Sequence, residues 1–291
     1  MLDKRILFLG DICSAIGRTA VIENLPKIKH EEKIDFTIAE AENAANGYGL
    51  TPKLAEELFS AGVDCITLGD HFLDRKEIIT LLESDPRVLR PANFHKEVPG
   101  RGSAVYQNNS LTVGVISLLG RIFLRPINCP FICADEEVSL LRAQTPIIIV
   151  DFHAEATAEK QALGWYLDGK VTAVLGTHTH VQTADERILP NGTGYITDVG
   201  MCGAMDSVLG MRVDLSVKKI IYNIPLHLEA AKDNVHLNGV ILTIDPITAK
   251  TKAIRRFDYK VPSPVIVPNN ISTCHEPSDN QNKSNNRESK L

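Results

Sequence analysis

The sequence predicts an α/β domain over residues 1–262, followed by a polar tail over residues 263–291. Three features of the chain support this division. Short apolar runs alternate with amphipathic helical segments through the first two thirds of the chain, a pattern typical of α/β folds. Polar residues follow several of these runs directly. From about Lys218 onwards, strand patterns continue with no helix pattern between them.

Local patterns predict the first strands and the helix between them. Ile6 to Leu9 and residues 35–39 are apolar runs typical of buried strands. A helix begins at Thr51-Pro52, because threonine caps helices and proline suits their first turn. Gly62 ends that helix, and Cys65 to Leu68 form the third predicted strand. The apolar face of the helix consists of Leu54, Ala55, Leu58 and Phe59.

The same alternation predicts further elements. Asp74 is placed to cap a helix whose apolar residues are Ile78, Ile79, Leu81 and Leu82. Residues 147–150 form the clearest buried strand. A helix is predicted near 156–168, and residues 171–175 form another strand.

The last third of the domain is predicted to be antiparallel. Residues 219–224, 237–245 and 251–260 have strand patterns, with a turn at Asp245-Pro246. After Pro262 the chain is rich in proline, asparagine, serine and charge. We therefore expect residues beyond about 270 to be disordered.

Composition narrows the possible partners and the compartment. The formal net charge is -5, without a basic block, so we expect no nucleic-acid polymer as the main partner. No stretch has the roughly 18 apolar residues that a membrane helix needs. The six cysteines are scattered and form no CxxC pair. Free thiols in a reducing, cytoplasmic environment are the simpler interpretation.

Polar residues cluster just after the predicted strands. Ligands of open α/β sheets bind outside the carboxyl ends of strands, so these residues are expected to meet at one edge. Each alone has a simpler interpretation: a helix cap for an aspartate, a turn for Glu42-Asn43, a structural hydrogen bond for a lone histidine. The set comprises Asp11, Glu42, Asn43, Asp70, His71, His153, His178 and His180.

The spacing of His178 and His180 favours a metal site. In an extended segment, residues two apart point to the same side, roughly 6–7 Å apart. On a helix the same spacing would point them away from each other. Because these histidines follow a strand, they can bind one metal ion or two neighbouring ions. An HxH pattern alone is a moderate signal.

The whole set predicts hydrolysis at a two-metal centre. Carboxylates, one amide oxygen and imidazoles suit divalent iron, manganese or zinc better than magnesium or calcium. Glu42 can bridge two ions about 3.5–4 Å apart, with a hydroxide between them attacking phosphorus. His71 is not needed as a ligand and is free to protonate the leaving oxygen. No serine or cysteine nucleophile has an obvious base.

Longer motifs around these residues resemble a known family. They are Leu9-Gly10-Asp11-Ile12, Glu42-Asn43-Ala44-Ala45, Thr67-Leu68-Gly69-Asp70-His71, Arg90-Pro91-Ala92-Asn93, the run from Asp151 to Thr157, the run from Gly176 to Asp185, the run from Tyr195 to Met201, and Leu209-Gly210-Met211. Together they resemble the YmdB-like branch of the calcineurin-like metallophosphoesterases. The resemblance spans residues 4–260 and leaves out the tail.

The resemblance implies a fold, an activity and a ligand for each position. The fold is an αββα sandwich, and the activity is that of a 2′,3′-cyclic nucleotide phosphodiesterase using two iron or manganese ions. Asp11, Asn43 and His180 would bind the first ion, and Glu42 would bridge. Asp70, His153 and His178 would bind the second, with His71 as proton donor. Members of the family are similar in forming homo-oligomers.

One position departs from the family. The pattern after the third strand is Gly-Asn-His, whereas this chain has Gly69-Asp70-His71. A carboxylate in place of the amide makes the centre less positive. We expect metal affinity to rise and turnover to fall.

Two alternatives stay open at this stage. The first is a different nucleotide as substrate, since ligands set the reaction while pocket walls set the substrate. Arg90, Asn93 and Tyr195 are candidate substrate contacts that could equally be structural. The other alternative is a metal- and nucleotide-binding regulatory protein with weak or no catalysis because of Asp70.

Overall fold

The computed structural model describes residues 2–108 and 111–262, and the predicted disordered tail lies outside these residues. The strands are β1 (Lys4–Leu9), β2 (Asp11–Ile12), β3 (Phe36–Glu40), β4 (Cys65–Thr67), β5 (Val88–Leu89), β6 (Ser103–Gln107), β7 (Thr112–Leu119), β8 (Ile148–His153), β9 (Ala173–Thr177), β10 (Arg187–Ile188), β11 (Gly194–Ile196), β12 (Met201–Ala204), β13 (Val235–Ile244) and β14 (Thr251–Lys260). The helices are α1 (Ser14–Glu32), α2 (Pro52–Ser60), α3 (Ile78–Ser84), α4 (Pro130–Arg142), α5 (Thr157–Tyr166) and α6 (Val213–Tyr222).

The strands form two sheets. In the first, β1, β3, β4 and β5 run parallel, and β13 joins them antiparallel to β1. β13 also pairs with β12 and, along its whole length, with β14. In the second sheet β7, β8, β9 and β11 run parallel, with β6 and β10 antiparallel at its two edges. The antiparallel end predicted for the domain is confirmed by β13 and β14.

Alternating side chains bury both faces of each sheet. Ile6 and Phe8 of β1 belong to a core between the sheets, together with Val115 and Ile149 of the second sheet. Their neighbours on β1 face the other way and pack with residues of α1, α2 and α3. On the far side of the second sheet, strand residues pack with α4 and α5. Since neighbouring strand residues point to opposite faces, this arrangement gives the predicted αββα sandwich.

Helix boundaries confirm one predicted cap and contradict another. The Thr51 side chain accepts a hydrogen bond from the Leu54 N–H at 3.4 Å, and Pro52 opens α2 as predicted. Asp74 does not cap α3, because that helix begins at Ile78 after Glu77. The Asp74 carboxylate contacts His71 Nδ1 instead, at 2.8 Å.

The strand predicted over residues 219–224 is wrong. Residues up to Tyr222 belong to α6, which ends where Asn223 adopts a left-handed conformation with φ 49°. Val213, Val217, Ile220 and Ile221 recur at helical spacing, and this pattern outweighs the short apolar run at its end. No helix within the described ranges is long and apolar enough to cross a membrane.

Candidate metal centre

The two sheets bring all eight predicted site residues to one edge of the sandwich. Asp11 follows β1 and opens β2, Glu42-Asn43 follow β3, and Asp70-His71 follow β4. His153 is the last residue of β8, so the strand extends further than predicted. His178 and His180 follow β9. The site therefore takes residues from the carboxyl ends of parallel strands in both sheets.

The possible ligand atoms fall into two adjacent groups. Within each group all ligand atoms lie within 4.8 Å of one another. One group contains Glu42, Asp70, His153 and His178, and the other contains Asp11, Glu40, Glu42 and His153. Glu42 and His153 belong to both groups. Of these two side chains, the Glu42 carboxylate has the two oxygens that bridging two ions needs.

On one side of the centre, Asp11 and Asn43 converge on His180. His180 Nε2 lies 3.2 Å from Asn43 Oδ1 and 3.6 Å from Asp11 Oδ1. The Asn43 amide is fixed by its Nδ2, which donates to the Gly47 carbonyl at 3.0 Å. This bond leaves the amide oxygen pointing at the centre.

On the other side, two imidazoles meet two carboxylates. His153 Nε2 lies 3.0 Å from Glu42 Oε1 and 3.3 Å from Asp70 Oδ1. His178 Nδ1 lies 2.9 Å from His153 Nε2 and 3.6 Å from Asp70 Oδ1. Four donor atoms of the types that bind divalent transition metals thus face one another.

Outer contacts fix the orientation of each histidine. His153 Nδ1 lies 3.1 Å from Thr177 Oγ1, and the Thr177 hydroxyl donates to Asp151 Oδ1 at 2.8 Å. His178 Nε2 contacts Glu155 at 3.2 Å. His180 Nδ1 lies 3.2 Å from the carbonyl of Leu209. Such contacts on the far nitrogen select the tautomer and orient the imidazole of metal-binding histidines.

The segment that carries His178 and His180 is not extended, contrary to the prediction from spacing. Both histidines have left-handed backbones, with φ of 97° and 63°. Asp198 holds the segment, since its Oδ2 accepts hydrogen bonds from Thr179 N at 3.0 Å and from the Thr179 hydroxyl at 2.8 Å. The two histidines consequently reach opposite sides of the centre.

Gly69 gives the His153 ring its space. A Cβ atom at position 69 would lie 2.3–2.5 Å from three atoms of that ring. Real Cβ atoms do not approach other atoms so closely. Glycine at this position therefore allows Asp70 and His153 to lie side by side.

The electrostatics of the centre favour cation binding. Burial alone would raise the pKa of Asp11, but the charges of His180 and His153 hold that pKa below its ordinary value. Burial opposes a charge on His153, yet Glu42, Asp70 and Asp11 raise the pKa of this imidazole well above its usual range. Burial and the neighbouring His153 lower the pKa of His178 to about 4, which keeps its metal-binding neutral form.

His71 lies at the rim of the centre and is partly exposed. Its backbone N–H donates to Glu42 Oε2 at 2.7 Å, and its Nδ1 contacts Asp74 at 2.8 Å. The edge of the Tyr48 ring packs on it at 5.1 Å between ring centroids. These contacts fix the ring through Nδ1 and leave Nε2 as its other proton-carrying nitrogen.

Three residues singled out as candidate substrate contacts are structural. The Arg90 guanidinium is buried and donates to the carbonyls of Pro91, Val98 and Pro99. Asn93 donates to the carbonyl of Leu119 at 2.7 Å. Tyr195 is buried, with its hydroxyl 3.0 Å from that of Thr197. The structural alternative holds for all three.

Sequence reasoning missed Glu40, the last residue of β3. It belongs to the group around Asp11 and is completely buried. The Glu40 and Glu42 spacing of two at a strand end was the available signal, because residues two apart in a strand share a side. Burial and the charges of Asp11 and Glu42 raise the pKa of Glu40 well above its usual value.

The residues present fit a divalent metal centre. Asp11 Oδ1 and Glu40 Oε2 are buried and have no hydrogen-bond partner among the described residues. A buried carboxylate oxygen without a partner is unfavourable unless a cation or donor meets it. Oxygen and imidazole donors on several sides of one small volume provide the surroundings that such a cation needs.

Comparison with known proteins gives consistent relatives over nearly the whole domain. A family profile described as YmdB-like protein matches residues 7–257. A Bacillus subtilis protein named 2′,3′-cyclic-nucleotide 2′-phosphodiesterase is 48% identical over 253 residues, covering 87% of this chain and 96% of the relative. A solved structure of a hypothetical protein from Thermus thermophilus has a TM-score of 0.83 at 38% identity, covering 89% of this chain and 100% of that one. A structure described as a novel phosphatase from Mycoplasma pneumoniae has a TM-score of 0.82 at 36% identity, covering 90% and 96%.

Proposed function

The chain belongs to the YmdB-like protein family, and on that premise we propose that it is a metal-dependent phosphodiesterase that hydrolyses cyclic nucleotides, 2′,3′-cyclic nucleotides in particular. The observation that carries the proposal is the pair of adjacent carboxylate and imidazole groups that share Glu42 and His153, with the Asn43 amide oxygen and His180 beside Asp11. The name of the Bacillus subtilis relative supports the substrate class.

The proposed ligands divide between two divalent ions, iron or manganese. Asp11, Asn43 and His180 would bind the first, while Asp70, His153 and His178 would bind the second. Glu42 belongs to both. When bound, such ions lower the pKa of a water molecule and stabilise charge on phosphate oxygens. The contacts of the three imidazoles with Thr177, Glu155 and the Leu209 carbonyl support these assignments, because they hold one nitrogen of each ring towards the centre.

His71 is the proposed proton donor. Hydrolysis of a cyclic phosphodiester forms a bond from a water oxygen to phosphorus and breaks one ester P–O bond. The leaving ribose oxygen needs a proton, and Nε2 of His71 can supply it while Asp74 holds Nδ1. The hydrogen bond from the His71 backbone to Glu42 supports this role, because it keeps His71 next to a proposed metal ligand.

Turnover measured together with metal content tests the proposal. The full-length protein is loaded anaerobically with Fe(II) or Mn(II) and assayed with 2′,3′-cyclic AMP, 3′,5′-cyclic AMP and AMP. We expect about two ions per chain and preference for the 2′,3′-cyclic substrate. His71→Ala should lower turnover by roughly 10²- to 10⁴-fold with metal content unchanged. Glu42→Ala should lose both the bound metal and the turnover.

An exposed histidine provides the matched control. His30→Ala, near the end of α1, should leave turnover and metal content unchanged. Two bound ions without turnover on any cyclic nucleotide would favour the regulatory alternative, in which Asp70 suppresses catalysis. Preference for AMP would keep a phosphoesterase but change its substrate. Absence of bound metal would contradict the proposal.

We further propose a cytoplasmic homo-oligomer that acts on a small nucleotide rather than on a polymer or at a membrane. Cys13, Cys65, Cys129, Cys133 and Cys202 are free thiols, which suits a reducing compartment. The net charge of -5 opposes binding to nucleic-acid polymers. The outer face of α6 supports self-association, since it exposes Ile220 and Ile221 at 73% and 69%.

A further inference from the structure

Glu40 is a buried carboxylate beside the metal centre that the proposed mechanism does not use. It is the last residue of β3 and is completely inaccessible to solvent. Its Oε1 accepts a hydrogen bond from the Glu42 N–H at 3.1 Å. Its Oε2 has no hydrogen-bond partner within residues 2–108 and 111–262. One oxygen is therefore fixed by the backbone while the other is left for a different kind of partner.

The surroundings of Glu40 identify that partner as a cation. Its carboxylate lies within 4.8 Å of ligand atoms of Asp11, Glu42 and His153. Asp11 Oδ1 is likewise buried without a hydrogen-bond partner among the described residues. Three carboxyl groups, from Asp11, Glu40 and Glu42, are buried together here. A divalent ion among them would meet both unpartnered oxygens.

We propose that Glu40 is a further metal ligand, on the Asp11 side of the centre. This proposal rests on the proposed function in assuming a divalent metal centre, although it concerns binding and not turnover. With Glu40 included, the ion on this side has carboxylate oxygens from Asp11, Glu40 and Glu42, the amide oxygen of Asn43 and one imidazole. A set so rich in oxygen favours Mn²⁺ over Zn²⁺, which prefers nitrogen and sulfur donors in fewer positions.

Metal binding by Glu40→Gln tests the assignment. Glutamine keeps the size of the side chain and removes its negative charge. The stoichiometry and affinity for Mn²⁺ and Zn²⁺ are measured on the full chain by calorimetry and by chelator competition. We expect Mn²⁺ affinity at one of two sites to fall by roughly 10- to 100-fold, with a smaller loss for Zn²⁺. Glu159→Gln is the matched control, since Glu159 is also buried but binds the Arg121 and Ile122 N–H groups. It should bind Mn²⁺ as the wild type does.

A crystal structure of the wild type with Mn²⁺ gives a second measurement that does not depend on the folding of a variant. An anomalous peak within coordination distance of a Glu40 oxygen, about 2.0–2.3 Å, would support the proposal. A peak on the Asp11 side that Glu40 does not reach would overturn it, as would wild-type Mn²⁺ affinity in Glu40→Gln.

The two proposals fail in different ways. If the wild type hydrolyses cyclic nucleotides and Glu40→Gln binds Mn²⁺ unchanged, the assignment of Glu40 is wrong and the proposed function stands. If the wild type binds two ions with weaker binding in Glu40→Gln but hydrolyses nothing, the proposed function fails and the assignment stands. If the wild type binds no divalent ion, both are wrong.

Discussion

Single residues set the charge of the proposed centre. Asp70 contributes a carboxylate where the family pattern has an amide, and it lies 3.3 Å from His153 Nε2. Burial alone would raise the pKa of Asp70, but the close imidazole of His153 and its charge lower that pKa, so the group is ionised at neutral pH. A metal centre with Asp70 would therefore be one unit less positive than one with an amide, and it would attract an anionic phosphodiester less.

The substitution Asp70→Asn should lower the affinity for Mn²⁺ and raise turnover. Removing the charge should weaken Mn²⁺ binding by roughly tenfold. It should also raise turnover of 2′,3′-cyclic AMP, because the ions then stabilise the charge on the phosphate oxygens more strongly. Calorimetry and steady-state kinetics on the same preparations measure both effects.

An exposed aspartate provides the control for this substitution. Asp135→Asn on α4 removes a carboxylate that contacts Tyr166 and Lys170, and it should change neither quantity. If Asp70→Asn changes neither quantity, the charge of Asp70 has no influence on the centre. If Asp70→Asn binds Mn²⁺ more weakly but turns over no faster, the electrostatic explanation of turnover is wrong and that of metal binding stands.

At the scale of elements, a buried ion pair supports the turn after β9. Lys160 of α5 donates to the Thr177 carbonyl at 2.6 Å and to Asp198 Oδ2 at 2.7 Å. Both side chains are buried, and the same carboxylate oxygen binds Thr179. The pair therefore connects α5 to the segment between His178 and His180. We infer that Lys160 and Asp198 are positioning residues, because they bind the backbone of this segment and are not among the proposed ligands.

Breaking this pair should loosen the histidine segment. Lys160→Met leaves the Asp198 charge buried and unpaired, which should lower the free energy of unfolding by about 3–5 kcal/mol. Mn²⁺ affinity should fall as well, since His178 and His180 lose their fixed positions. Urea unfolding and metal titration measure the two effects. The double substitution Lys160→Met with Asp198→Asn should recover part of the stability without recovering metal affinity.

A surface lysine separates this effect from the loss of any ion pair. Lys170→Met breaks the exposed contact with Asp135 and should cost at most about 1 kcal/mol. Wild-type metal affinity in Lys160→Met would show that the histidine segment holds its shape without the pair.

The predictability of each element from the sequence follows from how it is buried. Strands β1, β3 and β14 are regular apolar or alternating runs, and their predicted positions agree with the structure. Helix α1 escaped prediction because residues 16–21 of its first half are all buried and Pro26 lies inside it, so the exposed polar stripe of Glu23, Lys27 and Glu31 marks only its second half. In α6 the apolar residues lie on the exposed side, and a short run at the helix end resembled a strand.

The residues of the site could be predicted from the sequence, but their orientations could not. The eight predicted residues meet because strand ends of parallel sheets converge, which local sequence is enough to indicate. Orientation was beyond that reasoning. The left-handed backbones of His178 and His180 flank Thr179, and Asp198 binds Thr179 from 19 residues further along the chain. Glu40 escaped notice because its proximity to Asp11 arises only where the ends of β3 and β2 come together.

At the scale of the whole molecule, the proposed centre joins the two sheets. Asp11, Glu42 and Asp70 come from the first sheet, while His153 and His178 come from the second. A bound ion therefore stabilises the packing of one sheet on the other, and ions that bind only the folded state stabilise that state. Mn²⁺ at 100 times its dissociation constant should raise the free energy of unfolding by about 2.7 kcal/mol per site.

Chemical denaturation with and without Mn²⁺ measures this gain. Chelation of the metal should remove it. In Glu42→Ala the gain should largely disappear, because Glu42 belongs to both ligand groups. A gain of equal size in Glu42→Ala would mean that Mn²⁺ stabilises the protein from some other place.

The outer face of α6 is the surface through which copies of the chain are proposed to associate. Val213, Val217, Ile220 and Ile221 lie on this face and are exposed. An apolar helix face of this kind is costly in water, and a second copy of the chain would cover it. If the proposed oligomer forms through this face, charges on both isoleucines, Ile220→Glu with Ile221→Glu, should convert it to a smaller species at micromolar concentration. Metal content should be unchanged, because α6 supplies none of the proposed ligands.

Sedimentation velocity and light scattering measure the mass of each species. Ile132→Glu on α4 is the matched control, since Ile132 is similarly exposed at 63% on a different helix. It should leave the mass unchanged. If the double α6 variant keeps the wild-type mass, or if the wild type is a monomer, the α6 face does not hold copies of the chain together. If both variants dissociate equally, added charge alone explains the effect and α6 has no special part in assembly.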